Sequence, residues 1–201
     1  MNSTEMATMD ISNLTIGFLG CGKISSAVCR GYAAASGSER PLRVIVSERS
    51  REKSSALKAE YSDFVTVSDS NEEIVNQSDI LFIGLLPGVA REVLPSLNVD
   101  GKLIISMMAA VDYSEVLTLT KSHDANSRVV RTVPLPSNAR RSGPILMHPE
   151  CAEAESVLKI VGTPVVCKLE AEMKPMVAIT GHISSFFELM RCSQDFAVAN
   201  G

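Results

Sequence analysis

Gly20, Gly22 and Ser25 sit within Ile16-Gly17-Phe18-Leu19-Gly20-Cys21-Gly22-Lys23-Ile24-Ser25, in a G-x-G-x-x-S spacing. A short apolar run precedes them, and a stretch of helical periodicity follows. At such a strand-to-helix turn the first glycine permits the tight bend. The second lets the backbone approach a pyrophosphate, and a small third residue lets the helix pack closely on the strand. The helix start then faces that pyrophosphate with free N–H groups and partial positive charge. Gly20, Gly22 and Ser25 are the residues that this spacing uses. The alternative is a glycine-rich turn without a ligand. Cys21 lies at the same helix start, where a thiol pKa can fall, or it fills a variable position with no chemistry.

A second group follows the next strand, in Ser47-Glu48-Arg49-Ser50-Arg51. A carboxylate there favours the ribose hydroxyls of NAD, whereas arginine and serine accept the 2′-phosphate of NADP. Ser47, Arg49, Ser50 and Arg51 tip the expectation to NADP, with NAD left open by Glu48. Glu48 and Arg51 also read as an exposed pair at a helix start. Two later strands end in Leu85-Leu86-Pro87 and Ser106-Met107-Met108-Ala109-Ala110. Ligands of open α/β sheets sit beyond the carboxyl ends of strands, so Leu86, Pro87, Met108 and Ala109 are placed along the cofactor groove. Core packing is the alternative for Met107 and Met108.

These groups need elements to position them. Strand-like runs at 15–19, 42–47, 64–67, 79–85, 102–106 and 128–132 alternate with helix-like stretches at 23–35, 51–59, 71–77, 89–97 and 113–120. Ser70 and Glu73 have the spacing of a capping box. Six strands alternating with helices predict a mainly parallel, doubly wound α/β sheet of the Rossmann type. Beyond Pro134, short strands at 145–147 and 164–167 flank a helix at 151–161. A helical stretch at 170–199 follows, with an interruption expected at Gly181. The expected division is a flexible arm (1–13), a dinucleotide-binding domain (14–168) and the first part of a helical domain (169–201). The apolar surface of residues 170–200 exceeds what a terminal helix leaves in water, so a homodimer through it is expected.

Composition narrows the function classes. The chain has 201 residues, 45% of them hydrophobic and 21% charged, which suits an ordinary folded core. A net charge of −4 argues against a nucleic-acid partner. Five cysteines without C-x-x-C spacing predict neither a disulfide framework nor a zinc site. The first residues lack a signal-peptide pattern, and no apolar run reaches the ~18 residues of a membrane span. A cytoplasmic location follows as the expectation. Mitochondrial import is not favoured, because the first stretch carries Glu5 and Asp10 and no arginine.

The segments IGFLGCGKIS, GLLPG, SMMAAV and RTVP, in this order, resemble the N-terminal part of the pyrroline-5-carboxylate reductase family, over about residues 14–190. The resemblance implies a Rossmann domain followed by a helical dimerisation domain. It implies hydride transfer from NAD(P)H to a cyclic imine, giving proline, with Gly20, Gly22, Lys23 and Ile24 holding the pyrophosphate. Four departures stand out. Leu85-Leu86-Pro87 replaces the family's Val-Lys-Pro, and Ala110 replaces a glycine. Leu135-Pro136-Ser137-Asn138 stands where the family has Asn-Thr-Pro-Ala. Gly181-His182-Ile183-Ser184-Ser185-Phe186 stands for its Gly-Ser-x-Pro-Ala-Tyr. The family's Gly-Gly-Thr-Thr segment for the substrate carboxylate falls beyond residue 201.

An imine reduction needs positioning and one proton. His182 and Ser184 are the catalytic candidates, His182 because an imidazole changes charge near neutral pH; an exposed helix histidine without chemistry is the alternative. Ser137, Asn138, Arg140, Arg141 and Ser185 are further candidates for holding a carboxylate. A nucleotide-binding sensor or partner without catalysis is the competing function. A 3-hydroxy-acid reductase using Lys174 is a weaker third reading.

Overall fold

The structure, a computed structural model, describes residues 9–122 and 128–200, apart from the Ser184 side chain. Its strands are β1 (Thr15–Leu19), β2 (Arg43–Ser47), β3 (Val65–Ser68), β4 (Ile80–Ile83), β5 (Leu103–Ser106), β6 (Val129–Val133), β7 (Pro144–His148) and β8 (Thr163–Val166). Its helices are α1 (Lys23–Ala33), α2 (Arg51–Glu60), α3 (Asn71–Gln77), α4 (Pro87–Val93), α5 (Tyr113–Thr120), α6 (Ala152–Lys159) and α7 (Met173–Ala199).

All eight strands form one sheet in the order β3-β2-β1-β4-β5-β6-β7-β8. The first six strands are parallel, as their βαβ connections dictate. The chain then turns back, so that β7 lies antiparallel to β6, with Val133 opposite Leu146. The two late strands thus extend the first sheet, with β8 parallel to β7.

Strands buried on both faces read as continuous apolar runs. Alternate residues feed two cores. Phe18, Val46, Phe82 and Ile105 face one side of the sheet with Val28 and Tyr32 of α1. Leu19, Ile45, Leu81, Ile83 and Ile104 face the other, with Ile74, Ala90 and Val116. The Phe18 and Phe82 rings stack at 4.9 Å, and Tyr32 meets Phe82 edge-on at 5.9 Å. The buried Tyr32 hydroxyl donates to Val157 O at 3.0 Å, which ties α1 to α6. The base of α7 closes a smaller cluster of Leu146, Cys167 and Met173 at the β6–β8 end.

Three expectations change. The predicted flexibility of residues 1–13 does not extend to Ile11, which is fully buried and donates its N–H to Ser38 O at 2.9 Å. α7 runs unbroken through Gly181; one helical glycine costs about 1 kcal/mol, too little to divide so long a helix. Only half of the capping box forms. Ser70 Oγ accepts from Glu73 N at 3.2 Å, but the Glu73 carboxylate takes the Ser68 hydroxyl at 2.6 Å. Ser68 Oγ in turn accepts the Ser70 N–H. Among the described residues no helix is long and apolar enough to cross a membrane.

Candidate cofactor and active site

The turn from β1 to α1 is built by two glycines with different tasks. Gly20 has φ +99°, a conformation that disfavours any side chain, and a Cβ there would lie 2.5 Å from Gly84 O. Its N–H donates to Ser47 Oγ at 2.9 Å, which pins the turn to the end of β2. Gly22 has an ordinary φ of −78°, and a Cβ there would meet nothing within 4 Å. The space beside Gly22 is therefore open to a ligand. Ser25 packs where a Cβ on Gly84 would lie 2.5 Å from its hydroxyl; two small residues let α1 close on β4.

α1 starts without a side-chain cap and without an acidic residue in its first turn. The leading amides of a helix have no acceptor within it, so those of Lys23, Ile24 and Ser25 are available to an anion. The open Cβ position and the uncapped helix start together fit a dinucleotide pyrophosphate.

A groove of about 330 Å³ runs past this turn. Gly22, Lys23, Ile24, Leu86, Pro87, Met108 and Ala109 are among the residues that line it. Met107 and Met108 both pack into the cores and line the groove, so their two readings coexist. Ser47, Glu48 and Arg49 line a second recess at the end of β2, with Asp69 and Arg51. Ser50 is not among its lining residues; it starts α2, where its carbonyl accepts the Ser54 N–H. Glu48 and Arg51 form the exposed ion pair anticipated from their spacing, at 3.2 Å. The Cys21 thiol is buried, and that burial pushes its pKa up against any effect of the helix start. A thiol this buried lacks the access that an activated thiol needs.

The candidates for substrate contacts fare differently. Asn138 is fully buried. Its Oδ1 accepts the Leu135 N–H at 2.6 Å, and its Nδ2 donates to Ser142 O and Val161 O at 3.1 Å. A Cβ on Gly162 would lie 2.5 Å from that amide, so Gly162 leaves room for it. Asn138 is a fastener of its own loop, with no hydrogen-bonding capacity left for a substrate carboxylate. Arg141 is likewise engaged, donating to Ile160 O at 2.8 Å and pairing with Glu39. Arg140 and Ser185 are exposed. His182 lies exposed on α7 and is not among the residues that line the groove. The Ser184 side chain lies outside the described residues. No cluster of metal-ligating side chains occurs among the described residues.

Sequence reasoning missed one arrangement. Arg131, in the middle of β6, is buried and pairs with Glu170 at 2.9 Å. Its Nη2 donates to Ala109 O at 2.6 Å, beside the groove. The usable signal was a charged residue inside the otherwise apolar strand Val129–Val133. Its partner, 39 residues away, has no local signature.

Comparison with known proteins agrees with this geometry. Residues 15–110 match the family described as NADP oxidoreductase coenzyme F420-dependent. The chain is 27% identical over 198 residues to pyrroline-5-carboxylate reductase of Escherichia coli strain K12; the match covers 92% of this chain and 71% of that enzyme. A solved 1-pyrroline-5-carboxylate reductase from Streptococcus pyogenes superposes with a TM-score of 0.74 at 18% identity, over 94% of this chain and 72% of the other. The Plasmodium falciparum pyrroline carboxylate reductase, solved with NADP bound, superposes with a TM-score of 0.73 at 20% identity, over 95% and 71%.

Proposed function

Because this chain resembles the pyrroline-5-carboxylate reductases in sequence and fold, we propose that it is an NADPH-dependent reductase of a C=N bond. The single observation that carries the reading is the β1–α1 turn, where Gly22 leaves open space beside an uncapped helix start. The amides of Lys23 and Ile24 hold the pyrophosphate. Arg49, with Ser47, faces the adenosine end, and its positive charge suits the 2′-phosphate. Leu86, Pro87, Met108 and Ala109 flank the nicotinamide. Bound NADPH supplies a hydride, and these side chains exclude water and hold the ring at one depth.

The substrate is a small imine, and proline formation is the expected reaction. His182 and Ser184 on α7 remain the candidates for handling its proton. Their exposure to the groove would come through a second copy of the chain, whose α7 meets the exposed apolar face of Ile179, Phe186, Phe187 and Met190. Within this reading residues 14–168 form the nucleotide-binding unit and residues 169–201 begin the pairing unit. The five free cysteines suit a reducing cytoplasm.

A second reading is a nucleotide-binding protein without turnover. It is favoured by the nicotinamide side of the groove, where Leu86, Pro87, Met108 and Ala109 offer no proton donor. Mixing the protein with NADPH and pyrroline-5-carboxylate and following nucleotide absorbance separates the two. The proposal expects oxidation of NADPH dependent on the imine. Tight NADPH binding without oxidation overturns it in favour of the second reading.

A further inference from the structure

We infer that Arg131 and Glu170 are positioning residues that set the nicotinamide end of the groove and join it mechanically to the base of α7; this rests on the reading that the groove holds NADPH. Among the ion pairs of the described residues, theirs has the most buried cation. The Arg131 side chain is 9% exposed, whereas every other paired cation is at least 33% exposed. A guanidinium in that position sheds its hydration and needs fixed partners in return. It has three. Nη1 donates to Glu170 Oε1 at 2.9 Å and lies 3.7 Å from Met173 Sδ, and Nη2 donates to Ala109 O at 2.6 Å.

The partners belong to two parts of the molecule. Ala109 lies in the exposed turn that leaves β5 and lines the groove. Glu170 and Met173 begin the chain into α7. Glu170 Oε1 also accepts the Tyr113 N–H at 2.7 Å, at the start of α5. Where the turn leaves β5, Met107 N donates to Ile83 O at 2.8 Å, but beyond Met107 the anchors are few. Val111 N donates to Met108 O at 3.1 Å, and Met108 N reaches Ser106 Oγ only at 3.4 Å. The Arg131 contact is therefore the main cross-chain restraint on the Ala109 carbonyl. Fixing a carbonyl beside the groove fixes the depth available to the nicotinamide. The pyrophosphate turn lies on β1 and α1 and does not depend on it. Displacement of α7 transmits to the groove through Glu170.

The test uses Glu170→Gln, which keeps the side-chain shape and an acceptor but removes the charge, with Arg131→Lys as a second variant that keeps the charge but loses the planar fork. Amide hydrogen exchange on the cofactor-free protein comes first. The inference expects at least tenfold faster exchange at residues 108–111 and 113, with β1 and β2 unchanged. NADPH affinity should then stay within threefold of wild type, while kcat for imine reduction falls at least tenfold at unchanged KM for NADPH. Partial recovery of kcat in Arg131→Lys relative to Arg131→Met fits the same account. Unaltered exchange at 108–111 overturns the inference, as does uniform acceleration across the sheet, the mark of a merely stabilising pair. Wild-type protein that neither binds nor oxidises NADPH would fail the proposed function instead, and the exchange result would still decide whether the pair restrains the turn.

Discussion

The β1–α1 turn and the segment from β6 to α7 bind their polar groups in opposite ways. At the turn, the backbone amides at the start of α1 are left without side-chain caps, and Gly22 stands beside empty space. In the later segment, Asn138 and Arg141 are consumed by the fold itself. Spare hydrogen-bonding capacity marks a binding site; a saturated polar side chain marks a structural joint. Residue type alone does not separate the two, because asparagine and arginine serve both purposes.

Two substitutions sharpen that contrast. The larger effect is expected from Asn138→Ala, which strands the Val161 carbonyl inside the protein and leaves the part-buried Leu135 N–H and Ser142 carbonyl without their partner. Leaving such groups unpaired costs about 1–3 kcal/mol each, so three of them make a loss of roughly 3–9 kcal/mol in chemical denaturation, towards the lower end because water reaches Leu135 and Ser142. NADPH affinity of the folded fraction should be unchanged. A stable variant with impaired nucleotide binding would return Asn138 to the ligand. Gly20→Ala should follow, with a loss of about 2–3 kcal/mol from the positive φ, measured in the same way. A variant as stable as wild type would mean that the turn relaxes, and that its tightness is not required by the fold.

The parts that were legible in the sequence were local. Runs such as Ile80–Ile83 and Leu103–Ser106 are apolar throughout because both faces of a parallel sheet are covered. The turn at Gly20 was legible because one residue's φ forces its identity. The late strands were legible as strands, but not as members of the same sheet. The reversal between β6 and β7 depends on a loop held by Asn138, whose partner Val161 is 23 residues away. The Arg131 pair was hidden for the same reason. His182 is a candidate by the chemistry of its imidazole, but whether a helix residue reaches the groove depends on packing that residue type does not encode. The unbroken α7 shows that small residues such as Gly181 do not end a helix when the residues around them favour it. The nearness of Cys21 to a helix start is visible in the sequence, whereas the burial that pushes its thiol pKa up is not.

The central claim is that the amides at Gly22–Ile24 hold a pyrophosphate. Titration of NADPH into wild type and Gly22→Asp, followed by nucleotide fluorescence, tests it most directly. Gly22 has an ordinary φ and a clear Cβ position, so the variant should fold with an unchanged denaturation midpoint. The account predicts saturable binding to wild type and at least a hundredfold weaker binding to the variant, because a carboxylate then occupies the place of the phosphates. Equal affinity in the two proteins, or no binding to wild type, would contradict it.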